Sequence, residues 1–521
     1  MIKKITKIKN ILPNILTILI IVWVFSNWIY SPVNLGGDFN FTNFDHFRLY
    51  SLHPYIWDLN LNNGFGQYTI FTLPFFFYAF TIGKFAFLNL SPFLLHKLIY
   101  LLPLLVISYF SINYSVSIFI KHPWARAFAI IFYLTNPYYI MLSSGGQIGV
   151  SFAYAFSPFL IANTYQILTS KTRNNTEQLL SYIFFGFYLS ILISFDSRIA
   201  LLTLLSIIIL ILAKIIFSKD ISGQIITSTI WFSVSLIVVF GFHAYWLIPS
   251  IFVYNVSLPI GYDAISSLFS LSFSRFAHAI SLSHPNYPDN QFGVVKEINL
   301  LSLSIPIFAF YTLKKSRKII LYFSFIAILS IFFAKGVNPP FSQIYQTFFS
   351  HIPLFNWYRD STKFYLLICI AYTILLGITF ESLINYYQQY RKKLTFSIIV
   401  FFLSTLLYLW WPTFSRQING TLAYSNYPDS YRELENILNN DRSYGRVLWI
   451  PNHDRYTFST PNHPQVILTD LIHSPSCLSS LCSKRYQPIK KDYFSKTDLY
   501  NQIDQEMKVF QDPHTQTIFQ D

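Results

Sequence analysis

Residues 179–217 have the sequence LLSYIFFGFYLSILISFDSRIALLTLLSIIILILAKIIF. Two apolar runs, 179–195 and 199–217, are joined by only three residues, Asp196, Ser197 and Arg198. As a helix, each run approaches the thickness of a bilayer core. A helix on the surface of a soluble protein keeps a polar face, and neither run has one. The stretch therefore predicts a hairpin of two membrane-spanning helices, with a local Asp196–Arg198 salt bridge in its turn.

The composition of the whole chain agrees with this hairpin. Of 521 residues, 53% are hydrophobic and only 12% are charged, whereas a soluble domain carries about 25% charged residues. Lipid can cover that much apolar surface, and water cannot. The net charge of +14 comes from short basic clusters between apolar runs, which are typical of cytoplasmic loops. We therefore expect the lipid bilayer as a partner and no nucleic acid.

The apolar pattern predicts an all-α polytopic bundle of roughly eleven spanning helices with its N-terminus inside. The predicted spans are residues 11–30, 94–120, 127–142, 148–168, 179–195, 199–217, 225–248, 300–313, 319–334, 364–385 and 394–411. The basic clusters at 121–126, 314–318 and 391–393 then all fall on the cytoplasmic side. This scheme requires residues 68–90, which Pro74 and three threonines interrupt, to be a re-entrant segment rather than a span.

The scheme divides the chain into a GT-C-like transmembrane domain, 1–411, and an extracytoplasmic C-terminal domain, 412–521. The first outer loop is 31–90 and contains the re-entrant segment. In the C-terminal domain, a helix-like stretch precedes a strand-like stretch, which predicts a small α+β region. This domain ends in polar sequence without a closing element, so we expect it to be truncated.

The first outer loop carries Asp38 and Asp45 among aromatic residues, next to His46 and Arg48. Ionisable residues at the membrane surface beside an apolar cavity are candidates for function. Burial raises the pKa of a carboxyl towards working pH, which suits a general base. The two acids are seven residues apart, so holding one divalent metal would require a loop that brings them together. No cofactor is certain, and a solvated loop with ordinary turn acids is the alternative interpretation.

A second constellation lies at the start of a predicted span. Arg359 and Lys363 are four residues apart, so on a helix they would share one face, and the helix N-terminus there favours an anion such as a lipid phosphate. The alternative is a pair of snorkelling anchors. The candidates for an acceptor or cavity site are His46 and Arg48 of the first outer loop, Gln147 in an outer turn, and His243 and Trp246 near an outer helix end. Turn chemistry is the alternative for Gln147, and interior packing is the alternative for His243.

Several nucleotide and hydrolase signatures are absent from the sequence. It contains no Walker loop, no Rossmann glycine fingerprint, no His-Glu-x-x-His motif and no serine nucleophile elbow. These absences argue against an ATP-driven pump and against a soluble nucleotide donor. A donor would then have to reside in the membrane.

In chain order the sequence contains GGDFNFT, YIWD, GFGQ, FTLPFFF, AYWLIP, NWYRDSTKF, YPDSYRELENIL and RVLWIP. These segments resemble those of GT-C-type integral membrane glycosyltransferases, closest to bacterial arabinofuranosyltransferase-like proteins and related proteins that glycosylate cell-wall polymers. The resemblance implies an outward active site and a polyprenyl-phosphate sugar donor. It also implies catalysis by Asp38, with Asp45 as the alternative, and donor phosphate binding near Arg359 and Lys363. The compact Asp-x-Asp motif of many GT-C enzymes is missing, which puts metal dependence in doubt and would also fit an inactive relative.

We therefore expect a multi-pass plasma-membrane glycosyltransferase with its C-terminal region outside the cytoplasm. It would move a hexosyl or pentosyl group from a polyprenyl-phosphate sugar to a cell-envelope glycan or glycolipid. Asp38 would take the acceptor proton while Arg359 and Lys363 stabilise the departing phosphate. The alternatives are a transporter or flippase of lipid-linked glycans and a non-catalytic GT-C-like assembly protein.

Overall fold

The computed structural model describes most of the helical part of the chain. The described residues are 2–31, 57–58, 67–68, 92–170, 175–218, 220–252, 268–269, 271–288, 295–315, 318–390, 393–418, 421–424 and the single residues Asp429, Glu433 and Ile437. Two short antiparallel strands, β1 (Trp57–Asp58) and β2 (Gln67–Tyr68), pair Trp57 with Tyr68. Most of the other described residues are helical.

The helices vary widely in length. They are α1 (Ile2–Val24), α2 (Ser26–Tyr30), α3 (Pro92–His96), α4 (Leu102–Phe119), α5 (Pro123–Thr135), α6 (Pro137–Ser144), α7 (Ile148–Thr169), α8 (Asn175–Phe195), α9 (Ser197–Ile216), α10 (Ile221–Phe252), α11 (Phe276–Ile280), α12 (Ser304–Phe310), α13 (Lys318–Ala334), α14 (Ser342–His351), α15 (Tyr365–Tyr390), α16 (Lys393–Leu409) and α17 (Trp411–Phe414). A π-helical turn at Lys97–Leu101 joins α3 to α4. Four 3-10 turns occur at Leu300–Leu303, Tyr311–Lys315, Phe355–Tyr358 and Ser361–Phe364.

Each predicted span falls on helix, but the described structure supports fewer crossings than the sequence predicts. Among the described residues, five helices are long and apolar enough to cross a membrane: Leu94–Phe119, Thr176–Phe195, Ser197–Ile216, Ile221–Tyr245 and Ser361–Tyr390. The same ranges contain four shorter apolar helices, Ile11–Val24, Leu300–Leu313, Lys318–Ala334 and Lys393–Leu409. The chain is therefore a helical membrane protein, and the count of eleven spans is not supported by these lengths.

The predicted span 127–142 shows why hydropathy overstates the continuity of a helix. The structure divides it between α5 and α6 at Asn136 and Pro137. Proline disfavours helical geometry in the residue before it, and Asn136 adopts an extended conformation. Its side chain then accepts a hydrogen bond from the Tyr139 amide at 3.0 Å, so that Asn136 caps the new helix.

The bundle has a buried central helix and a peripheral one. Every residue of α15 from Tyr365 to Phe380 is buried, and the helix packs against α13 and α5. In contrast, α10 packs mainly against α8 and exposes large apolar side chains such as Ile226, Ile237 and Phe240. Exposed apolar surface of this kind is unfavourable in water and is expected for a helix that faces lipid.

Side-chain contacts show which loops lie at the same end of the bundle. At one end, which we call the basic end, Glu381 accepts hydrogen bonds from the amides of Lys121 and His122. Lys318 at the start of α13 lies 3.4 Å from the Phe217 carbonyl oxygen at this same end. At the other end, which we call the cluster end, Ser361 donates to the Ala334 carbonyl oxygen. Lys121, His122 and Lys318 therefore lie at one end of the bundle.

The first described residues after α16 lie against the N-terminal helices at the cluster end. Trp23 donates to the Phe414 carbonyl oxygen at 2.9 Å, and Trp28 donates to that of Thr421 at 3.0 Å. The Arg416 guanidinium lies 3.9 Å from the centre of the Trp23 ring. Most of the predicted C-terminal α+β region, 412–521, lies outside the described residues, and the structure lends it no support.

Candidate functional site

The segment that precedes α15 is built from two 3-10 turns with a break between them. Phe355–Tyr358 forms the first turn and Ser361–Phe364 the second. Asp360 interrupts them in an extended conformation. Its carboxylate accepts hydrogen bonds from the Thr362 amide at 3.1 Å and the Thr362 hydroxyl at 2.6 Å. Asp360 therefore acts as the N-cap of the turn that leads into the central helix.

Asp360 also forms a buried ion pair. The Lys363 ammonium lies 2.7 Å from Asp360 Oδ2, and the two side chains are 6% and 20% exposed. Burial alone would raise the pKa of the Asp360 carboxyl, but the Lys363 ammonium and the Thr362 hydrogen bonds lower that pKa below its usual value. The carboxylate is therefore ionised at neutral pH, and Lys363 is neutralised inside the fold.

The extended Asp360 also separates the two cations that the sequence groups together. The one-face argument assumes a continuous helix from Arg359 to Lys363, and the regular helix starts only at Tyr365. Arg359 is exposed and makes no hydrogen bond or ion pair within the described part of the chain, whereas Lys363 points inward to Asp360. The two residues do not share a helix face, and their role as phosphate ligands stays a prediction.

The α8–α9 hairpin brings a second ion pair to the same place. Asp196 accepts hydrogen bonds from the amides of Arg198 and Ile199. It also binds the Arg198 guanidinium, with the closest contact at 2.6 Å. The Tyr358 hydroxyl donates to the Arg198 carbonyl oxygen at 2.8 Å, which joins the hairpin to the segment before α15. The predicted local salt bridge of the hairpin is thus present, and it lies beside the Asp360 pair.

We call Asp196, Arg198, Asp360 and Lys363 the ion-pair cluster. A further cation lies near it, because Ser361 donates to the carbonyl oxygen of Ala334, the residue before Lys335. Lys335 is fully buried. The Lys335 ammonium donates to the Asn338 carbonyl oxygen at 2.8 Å and lies 4.8 Å from the centre of the Phe332 ring. Carbonyl oxygens and an aromatic ring hold this ammonium, and no carboxylate of the described residues pairs with it. Among the described residues, the region therefore carries an excess of positive charge.

Sequence reasoning did not single out His284, which lies next to the cluster. Its ring centre is 6.1 Å from those of Tyr138 and Tyr365. Burial lowers the pKa of His284 to about 4, although the Asp360 carboxylate acts to raise it. The signal in the sequence was the short polar run SHPN within an outer loop, which has no spacing that distinguishes it from a turn.

An apolar groove of about 220 Å³ opens beside the cluster. The helices α8, α9 and α10 form its walls, and Leu354 and Trp357 from the segment before α15 complete it. Ser197 and His243 contribute to its lining. The His243 ring nitrogen lies 3.2 Å from the Ser190 carbonyl oxygen, which agrees with a satisfied interior histidine.

The structure describes only some of the other predicted site residues. Gln147 precedes α7 and makes no capping hydrogen bond with its side chain. Trp246 lies in α10, and its side chain is outside the described part. Asp38, Asp45, His46 and Arg48 also lie outside the described residues. Within the described ranges, no three His, Cys, Asp or Glu side chains come together as a metal site requires.

No family model matches this chain, and no curated protein is similar to it in sequence.

Proposed function

We propose that this chain is a membrane glycosyltransferase that moves a sugar from a polyprenyl phosphate to a cell-envelope acceptor. The proposal includes the GT-C-type bundle of about eleven spans, the extracytoplasmic C-terminal α+β region and a plasma-membrane location. The observation that carries it is the apolar groove beside a buried cluster with excess positive charge. A polyprenyl phosphate combines the same two properties, a long apolar chain and an anionic head.

The sidedness of the proposal follows from the basic end. Positively charged loops stay in the cytoplasm, so the basic end with Lys121, Lys318 and Lys393 would be cytoplasmic. The cluster end would then face outward, where cell-envelope acceptors are found. The prenyl chain would lie in the groove between α8, α9 and α10, and its phosphate would lie near the exposed guanidinium of Arg359.

Charge balance assigns different parts to the two predicted phosphate ligands. Asp196 and Asp360 neutralise Arg198 and Lys363, so Arg359 and the buried Lys335 provide the remaining positive charge. Negative charge grows on the phosphate as the bond from the sugar breaks, and a fixed cation stabilises that charge in the transition state. Arg359 would make the direct contact, and Lys363 would act mainly through Asp360.

The reaction would be an inverting transfer. The acceptor hydroxyl oxygen would form a bond to the anomeric carbon as the bond from that carbon to the phosphate oxygen breaks. The electron pair of the broken bond would remain on the phosphate, and the acceptor proton would pass to Asp38, or to Asp45 in the alternative assignment.

The described helices argue against the transporter alternative. A transporter of lipid-linked glycans would carry ionisable groups near the bilayer midplane. In the described spans, Asp, Glu, Lys and Arg lie towards the loops at the two ends, as Arg198, Lys214 and Glu381 do. This distribution favours chemistry at a membrane surface over passage through the bundle.

A radiolabelled prenyl-phosphate sugar assay in vesicles separates the three classes of function. We expect transfer of label to an acceptor by the wild type and its loss in Asp38→Asn, with unchanged membrane expression. Translocation without transfer would indicate the flippase, and neither activity would indicate the assembly protein.

A further inference from the structure

The loop around His284 is fixed by hydrogen bonds to the central helix. The Tyr365 hydroxyl donates to the Ser283 carbonyl oxygen at 3.2 Å, and the Tyr372 hydroxyl donates to that of Ile280 at 2.7 Å. The Lys296 amide donates to the Pro285 carbonyl oxygen at 2.9 Å. Each contact uses a carbonyl of the loop, so the positions of the next side chains are set before any ligand arrives.

Three polar groups in and beside this loop have no hydrogen-bond partner among the described residues. Asn286 Oδ1 is completely buried and unpaired, and the residue is only 8% exposed. His284 is 9% exposed and Tyr138 is 3% exposed. No hydrogen bond reaches His284 Nε2 or the Tyr138 hydroxyl. Buried polar atoms are nearly always paired in native proteins, so Asn286 Oδ1, which is fully buried and unpaired within the described part of the chain, calls for a ligand. The His284 ring adjoins this residue, and the Tyr138 ring centre lies 6.1 Å from that of His284.

The hydrogen-bonding capacity of the three groups defines the class of ligand. The Asn286 amide donates to His284 Nδ1 at 3.2 Å, so the other ring nitrogen, Nε2, carries the hydrogen of the neutral imidazole. The set then comprises a donor at His284, an acceptor at Asn286 and a hydroxyl at Tyr138 that does both. Neighbouring hydroxyl groups on a sugar ring offer the complementary set of donors and acceptors.

None of the three groups offers a counter-charge to an ionic ligand. The Asp360 carboxylate acts electrostatically on both Tyr138 and His284, but Lys363 already neutralises it at 2.7 Å. His284 is neutral at physiological pH, so none of the three groups carries a charge. An ion buried there without a counter-charge would be strongly unfavourable, whereas a neutral polyol would pair every group.

We propose that Tyr138, His284 and Asn286 form a subsite that binds the hydroxyl groups of a neutral sugar. The assignment of this sugar to the donor or the acceptor rests on the function proposed above. The binding chemistry itself stands on the unpaired groups and on the fixed loop.

Thermal unfolding of the purified full chain in detergent tests the subsite without any transfer. The probes are methyl glycosides of hexoses and pentoses, with sodium phosphate as the charged comparison. A ligand that binds only the folded state raises the unfolding temperature as its concentration rises. We expect at least one glycoside to stabilise the wild type. Sodium phosphate should not produce a stabilisation that is present in the wild type and lost in Asn286→Leu.

The Asn286→Leu variant should need about tenfold more glycoside for the same temperature shift, because one buried hydrogen bond is lost. Tyr138→Phe, which removes a single oxygen atom, should weaken the response in the same direction and decides the test if Asn286→Leu does not fold. Tyr322→Phe is the matched control, since it removes a buried hydroxyl that donates to the Ser206 carbonyl oxygen far from the loop. The subsite is refuted if no glycoside stabilises the wild type or if Asn286→Leu keeps the wild-type dose response.

The vesicle transfer assay then separates this proposal from the proposed enzyme. Glycoside binding that depends on Asn286, without any transfer, would support the proposed subsite and refute the proposed glycosyltransferase activity. Transfer with the same KM in Asn286→Leu and wild type would overturn the subsite and keep the glycosyltransferase.

Discussion

The two ends of the bundle use their carboxylates differently. At the basic end, Glu381 is partly exposed and accepts hydrogen bonds from the amides of Lys121 and His122 at 2.8 and 2.7 Å. It thereby fixes the loop that leads into α5. At the cluster end, Asp360, whose side chain is 20% exposed, pairs with the buried Lys363. The carboxylate at the basic end binds backbone amides, whereas Asp196 and Asp360 at the cluster end pair with cations. Both ends hold a buried atom that is unpaired among the described residues, such as His122 Nδ1 and Asn286 Oδ1, so the ion pairs with the buried Lys335 near them direct the functional proposal to the cluster end.

The largest expected effect comes from breaking the buried pair. Lys363→Met leaves the Asp360 carboxylate buried without its counter-charge, which should cost about 3 kcal/mol of unfolding free energy. Unfolding in detergent, followed by size-exclusion chromatography after heating, measures the loss. The double variant Asp360→Asn with Lys363→Met removes both charges and should recover most of it. A single variant as stable as the wild type would mean that the ion pair is not buried.

A backbone change at the cluster end should come next. Gly336 has φ of 58°, and a Cβ there would collide with the side chain of Ser272 and approach Ser361 Oγ to 2.9 Å. Gly336→Ala should therefore destabilise the fold by about 1–3 kcal/mol. Gly241→Ala is the matched control, since a Cβ at that helical position meets no atom within 4 Å. It should be neutral or slightly stabilising in the same melting experiment.

A smaller effect is expected from the carboxylate at the basic end. Glu381→Ala removes the acceptor for two backbone amides and should cost about 1 kcal/mol, because water can replace the carboxylate at this partly exposed position. Glycosyl transfer per folded molecule should remain at the wild-type level. Loss of transfer without loss of folded protein would contradict the division of roles between the two ends.

The smallest effect is a pH dependence confined to acid. The pKa of Asp360 is lower in the folded chain than in the unfolded chain, so its ionised form stabilises the fold above the unfolded value of about 3.9. That contribution is lost as pH falls through the folded pKa. The difference in unfolding temperature between wild type and Asp360→Asn should be constant from pH 7 to about pH 5 and should shrink below about pH 4. A difference that grows in acid would reverse the assigned direction.

Sequence reasoning captured features that depend on local composition. The hairpin at Asp196, Ser197 and Arg198 was predicted because its apolar runs and short turn are contiguous in the chain. The position of Lys121 and Lys318 at one end of the bundle followed from the alternation of basic clusters along the chain, whereas the cytoplasmic side of that end stays a prediction. The break before α15 could not be predicted, because it depends on the contacts of the Asp360 side chain. This side chain binds Lys363 and Thr362, and Asp360 itself adopts an extended conformation instead of a helical one.

The neighbourhood of His284 is non-local in the same way. Tyr138, Asp360 and His284 are separated by more than seventy residues from one another along the chain, and only the packing of α6 and α15 against the loop brings them together. Neither residue type nor spacing along the chain indicates that these three residues are neighbours in the fold. Helix length was overestimated for a related reason, since Asn136 and Pro137 divide an apolar run whose hydropathy is uninterrupted.

The central claim is that the cluster end binds a prenyl phosphate and transfers its sugar. The most direct test measures transfer of radiolabelled sugar from a prenyl phosphate in sealed vesicles by wild type, Arg359→Ala and Arg359→Lys. The account predicts transfer by the wild type, a decrease in kcat/KM of about 100-fold in Arg359→Ala and partial recovery in Arg359→Lys. Equal transfer by the wild type and Arg359→Ala, or no transfer by the wild type, would contradict it.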